Sequence, residues 1–127
     1  MQPSLLIVDD DLDTVEIFKE FLEIKGFNVI GTGKNGKEAV EKYQELRPSV
    51  VLLDVMMPDY DGIYGLQGIR KVDPQAKVIM VTADKTTKTE TKLKELNANA
   101  VLYKPYEIDD VVSAINKAIV GSMKISC

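Results

Sequence analysis

The sequence contains no histidine and no tryptophan, and its one cysteine is the last residue, Cys127. Without imidazole the chain cannot build a Ser–His–Asp or Cys–His nucleophilic site, nor a zinc site that needs histidine. A single thiol excludes an intrachain disulfide, and at the terminus it reads as incidental rather than catalytic. No apolar run approaches the roughly 20 residues that cross a bilayer, and the amino-terminal stretch lacks the flank and apolar segment of a secretory signal. A cytoplasmic location with no membrane partner is therefore expected. Basic residues are in deficit, 16 Lys and Arg against 20 Asp and Glu, for a net charge of −4. With no long basic stripe, nucleic acid is not expected as a direct partner.

What the 127 residues do contain is an alternation. Short apolar runs at 5–8, 28–32, 50–53, 77–81 and 101–103 predict strands. Three of them are nearly continuous Val, Ile and Leu, the mark of strands buried on both faces of a parallel sheet. Amphipathic stretches lie between. The first presents Val15, Phe18, Phe21 and Leu22 inward and stops at Gly26. The second spans 36–46, with Ala39, Val40, Tyr43 and Leu46 inward. The third begins near Asp61 and ends before Asp73 and Pro74. The fourth, 85–96, is rich in threonine, a poor helix former, and offers only Leu93 and Leu96 as an inward pair. The fifth carries Ile108, Val111, Val112, Ile115 and Ile119 at helical spacing. Five strand–helix repeats predict an α/β fold of βαβ units, one domain over 1–127 with its core at about 4–120. The tail 121–127 is expected to fray.

Polar residues fall at the carboxyl ends of these strands: Asp9 and Asp10 after the first, Asp54 after the third, Thr82 after the fourth, Lys104 after the fifth. Parallel strands point those ends to one rim, where open α/β sheets bind ligands. With strand order 2-1-3-4-5, Asp9, Asp10 and Asp54 become neighbours. Two like charges about 4 Å apart repel by roughly 4 kcal/mol at an effective dielectric near 20. Such a cluster calls for a proton or a cation, and hard oxygen ligands select Mg²⁺, Mn²⁺ or Ca²⁺. Asp11, just before Leu12, is assigned mainly to capping the first helix.

Four segments, LLIVDDD, VVLLDVMMPDYDG, VIMVTAD and VLYKPY, in this order and at these spacings resemble the receiver domain of two-component response regulators. The resemblance covers about residues 5–120. It implies a flavodoxin-like (βα)₅ doubly wound sheet, order 2-1-3-4-5. It also implies that Asp54 accepts a phosphoryl group from a histidine of a partner sensor kinase or phosphotransfer protein. Asp10 would ligate Mg²⁺ directly, Asp9 largely through water, with Asp54 and the backbone carbonyl of Met56 completing the protein ligands. Thr82 and Lys104 would contact the phosphoryl oxygens, and Pro105 would follow a cis peptide bond. The absence of histidine agrees: the donor imidazole must come from another molecule. The domain would be a signalling switch rather than an enzyme, catalysing only its own phosphorylation and dephosphorylation.

The sequence departs from that family at one switch position. Three residues before Lys104 the family carries an aromatic that changes rotamer; here it is Val101. The switch is therefore expected to run through Thr82, the following loop and the fourth helix. Met56 and Asp84 flank the expected path of the attacking water; only Asp84 could orient it. Asn97, where the family commonly has glycine, should affect only the turn before the fifth strand. Tyr103 and Tyr106 are assigned to packing. The expected output is protein contact through the fourth helix, fifth strand and fifth helix, as in chemotaxis-type regulators. The alternatives are a receiver cut from a longer regulator, an aspartyl-nucleophile phosphohydrolase, a nucleotide or flavin domain, and a degenerate receiver. Adjacent Asp9 and Asp10, rather than two aspartates one residue apart, argue against the hydrolase. The lack of a Gly-rich loop argues against nucleotide binding, and the complete acid–Thr–Lys set against degeneracy.

Overall fold

The computed structural model describes residues 2–123. Strands β1 (Ser4–Val8), β2 (Asn28–Gly33), β3 (Val50–Asp54), β4 (Val78–Thr82) and β5 (Ala100–Tyr103) alternate with helices α1 (Leu12–Ile24), α2 (Gly36–Leu46), α3 (Gly62–Val72), α4 (Thr87–Glu95) and α5 (Ile108–Met123). All neighbouring strands pair in parallel, in the order β2-β1-β3-β4-β5. The expected (βα)₅ architecture is thus the observed one. Every expected strand is present within one residue at each end.

Strand alternation splits the core into two layers. Leu6, Val8, Val51 and Leu53 face α2, α3 and α4, where they meet Tyr43, Leu66, Ile69 and Leu93. Leu5, Ile7, Val50 and Leu52 face the other way and meet Val15, Leu22, Val111 and Ile115 of α1 and α5. Residues one apart on a strand serve opposite faces. A continuous apolar run is what a sheet covered on both sides requires.

Three helix expectations change. In α1, Phe21 is not inward: it is 49% exposed, with Ile17 and Ile24 also outside. The apolar stripe of this helix is wider than the face that meets the sheet, and Val15 and Leu22, with half-buried Phe18, suffice to cover it. Helix α4 starts at Thr87, not 85, because Thr86 adopts an extended conformation and accepts from the Thr89 N–H as N-cap. Helix α5 runs on to Met123, into the segment expected to fray; residues 124–127, Cys127 among them, lie outside the described residues.

One fastening positions the rim and another the far end of α4. The N–H of Gly36 donates to the Tyr60 carbonyl at 2.7 Å, binding the start of α2 to the loop after β3. A Cβ on Gly36 would overlap the Asp61 carbonyl oxygen, so only glycine allows this approach. On the far side, Arg70 of α3 donates to the carbonyls of Leu96 at 2.9 Å and Asn97 at 2.7 Å, and to Asn99 Oδ1 at 3.1 Å. A cation thereby satisfies carbonyls at the carboxyl end of α4. Asn97 takes a left-handed φ of 57°, which asparagine tolerates in the place of glycine.

Buried Tyr43 donates its hydroxyl to Asp73 Oδ2 at 2.7 Å, and this bond chiefly holds the Asp73 carboxyl below its ordinary value. A group depressed on folding contributes stability above its unfolded pKa and loses it as pH falls through the folded one. Tyr43→Phe should therefore cost about 1–2 kcal/mol at neutral pH. The cost should shrink as Asp73 is protonated, below the ordinary value of 3.8. Urea unfolding of both proteins across acid pH checks this; a cost that stays constant into strong acid would contradict it.

Candidate functional site

Asp54 is the last residue of β3, Thr82 the last of β4, and Asp9 follows β1 directly. β1 and β4 are both neighbours of β3, so register alone brings the three to one rim. Asp9 and Asp54 are 7% and 5% exposed, and Thr82 is 1% exposed, whereas Asp10 faces solvent. One carboxylate oxygen from each of Asp9, Asp10 and Asp54 lies within 4.8 Å of the others. Lys104 reaches in from the end of β5, where its backbone N–H donates to the Thr82 carbonyl at 2.9 Å. The Lys104–Pro105 peptide bond is cis.

The electrostatics are unbalanced. Asp54 Oδ1 is buried and accepts no hydrogen bond. Its nearest cation, Lys104 Nζ at 3.4 Å, makes an ion pair without hydrogen-bond geometry. Burial first, then the Asp9 charge, pushes the Asp54 carboxyl up to about 6, against the opposing pull of Lys104. Burial likewise raises Asp9, although its Oδ1 accepts the Asp11 N–H at 3.0 Å. Buried polar atoms are normally paired, so an orphaned carboxylate oxygen among two further acids marks a place for a cation. All-oxygen donors of this number suit Mg²⁺, which keeps several waters. The residues present fit such an ion.

Asp11 behaves as a cap: its carboxylate accepts from the Asp13 N–H and the Thr14 hydroxyl. Tyr106 packs rather than exposing itself, stacked on Phe18 with ring centroids 5.7 Å apart. Burial and the nearby Asp9 and Asp54 charges push its hydroxyl up to about 12. Met56 is 61% exposed and, with Asp84, lines a cleft of about 450 Å³ beside the site. The Asp84 carboxylate is already engaged: Oδ1 accepts the Thr86 N–H at 2.9 Å and Oδ2 the Thr89 hydroxyl at 2.7 Å. It therefore holds α4 rather than standing free to orient water. Thr89 was legible only as a poor helix former; its spacing of five residues from Asp84 was the available signal.

A rim of this composition on a five-stranded 2-1-3-4-5 sheet defines a class of acidic-pocket α/β domains. The model of the response regulator receiver domain family matches residues 5–116. The chain is 37% identical over 119 residues to the chemotaxis protein CheY of Bacillus subtilis, covering 94% of this chain and 99% of that one. A CheY-like response regulator receiver domain protein from Methanospirillum hungatei superposes with TM-score 0.91 at 27% identity, covering 98% of each chain. The CheX–CheY–BeF₃–Mg²⁺ complex from Borrelia burgdorferi matches with TM-score 0.83 at 33% identity, covering 88% of this chain and 85% of that one. The chain belongs to the response regulator receiver domain family, and within it is CheY-like, a module of two-component signalling.

Without metal, the buried charge of Asp54 should cost stability. Its pKa is raised on folding, so the cost develops as pH rises from 3.8 towards about 6 and is full above that. Asp54→Asn should raise the unfolding free energy by about 1–3 kcal/mol near neutral pH in the presence of chelator. The gain should vanish below the ordinary aspartate value. Denaturant titrations at both ends of that range check the sign; a gain independent of pH would contradict it.

Proposed function

We propose that Asp54 is the phosphoacceptor of this receiver domain, taking a phosphoryl group from a histidine of a sensor kinase or phosphotransfer protein. The observation that carries the reading is the buried, hydrogen-bond-free Asp54 Oδ1 facing Lys104 with Asp9 and Asp10 beside it. Ionised Asp54 attacks phosphorus; the donor's N–P bond breaks as the Asp54 O–P bond forms, and the leaving imidazole keeps the electron pair. Lys104 lies where it offsets the negative charge of the two approaching anions. In the unphosphorylated chain Thr82 Oγ1 accepts the Asp84 N–H at 2.9 Å; turned towards Asp54, the hydroxyl would instead donate its proton to a phosphoryl oxygen. Asp10, Asp9, Asp54 and the Met56 carbonyl would hold Mg²⁺, which when bound supplies the remaining charge neutralisation. Water attack on the acyl phosphate later returns the free carboxylate, so the mark is temporary.

The domain acts on this reading as a cytoplasmic switch and not as an enzyme with a separate substrate, a single receiver unit with its core at about 4–120. Its output is protein binding through α4, β5 and α5. A groove of about 690 Å³ along the β5 edge and α5, lined by Leu102, Tyr103 and Lys117, supports the β5 and α5 part of that face.

Incubation with Mg²⁺ and a small acyl-phosphate donor, followed by intact-mass analysis, tests the assignment. Wild type should gain one PO₃ unit and Asp54→Asn none, and chelator should abolish the gain. Equal labelling of the two proteins, or label mapped to another residue, would overturn it.

A further inference from the structure

Helix α4 is attached to the rest of the molecule unevenly. Its one buried residue is Leu93, in its last turns, while α3 buries Gly62, Gly65, Leu66 and Ile69 along its length. The carboxyl end is fastened by Arg70 through the carbonyls of Leu96 and Asn97. The amino end has no buried apolar anchor. What holds it is a polar chain that starts at the phosphorylation rim. Thr82 Oγ1 accepts the Asp84 N–H at 2.9 Å. Asp84 Oδ1 accepts the Thr86 N–H at 2.9 Å, and Asp84 Oδ2 accepts the Thr89 hydroxyl at 2.7 Å. The Thr86–Thr89 capping bond itself is long, at 3.4 Å. The Asp84 carboxylate is thus the stronger tie on the first turn, since bonds to an ionised acceptor exceed neutral ones.

We propose that Asp84 and Thr89 form a latch that transmits the state of Thr82 to the amino end of α4, in place of the aromatic rotamer that Val101 cannot supply. The inference rests on the phosphoacceptor assignment of Asp54. When the Thr82 hydroxyl turns to a phosphoryl oxygen, the Asp84 N–H loses its acceptor and the loop of residues 83–86 shifts. Because the Asp84 carboxylate grips the Thr86 cap and the Thr89 hydroxyl of α4, the shift carries the first turn with it, and the helix pivots about the end that Arg70 holds. Asp84 and Thr89 are positioning residues here; neither touches the reacting atoms. Among the described residues no other side chain links the β4 end to the first turn of α4 by a hydrogen bond.

The test is amide NMR of the full chain with and without BeF₃⁻ and Mg²⁺, in wild type, Thr89→Val and Thr89→Ser. Valine keeps the shape of the side chain and removes the hydroxyl; serine restores it. In wild type the amides of Val55 and Ala83, near the site, and those of residues 87–92 should all shift. In Thr89→Val the site amides should shift as before, while the changes over 87–92 fall at least threefold; Thr89→Ser should recover most of them. Unreduced changes over 87–92 in the valine variant would overturn the latch, as would a wild-type α4 that stays silent while the site responds. Failure of the Val55 and Ala83 amides to respond in wild type would instead overturn the Asp54 assignment, and the latch with it.

Discussion

The structure turns on a carboxylate buried without a matching donor. Asp54 ends a strand whose other residues are wholly apolar and buried, and its Oδ1 has only a loose ion pair with Lys104 for company. A folded protein tolerates such a group where the deficit is filled by something that comes and goes. The two layers of core clamp β1 and β3 in register, which holds buried Asp9 and Asp54 side by side despite their repulsion. A divalent cation is the physical complement of that constraint, and on the proposed function its charge would let a second anion approach.

The same rim is joined to α4. Thr82 belongs both to the end of β4 and, through Asp84, to the entry of α4. The helix most weakly tied to the core is the one connected to the site by polar contacts alone. On the proposed function, rigidity at the rim and loose attachment at α4 are opposite demands. The chain meets them by placing its continuous Val, Ile and Leu runs in the sheet and its threonines in α4. Elements that move are drawn from the least stable part of a structure.

How much of this was legible before the structure depended on the kind of signal. Strands buried on both faces announce themselves as apolar runs, and a polar residue terminating such a run is placed at the rim by topology, so Asp9, Asp54, Thr82 and Lys104 could be located from sequence. Helix faces were less secure. In α1, Ile17, Phe18, Phe21, Leu22 and Ile24 form an apolar stripe wider than the face that meets the sheet, and periodicity alone misassigned Phe21. Contacts between polar side chains and distant backbone have no periodic signature. The Arg70 fastening of α4 spans 26 residues, and the Asp84–Thr89 bond depended on where the helix began, which lay two residues later than the pattern indicated.

The central claim is that the acids at positions 9, 10 and 54 are arranged for a divalent ion, and calorimetric titration with Mg²⁺ tests it most directly. Wild type should bind one ion per chain, and Asp10→Asn should bind it far more weakly while keeping the fold by circular dichroism. A wild-type chain that takes up no magnesium, or a variant that binds it equally well, would contradict the account.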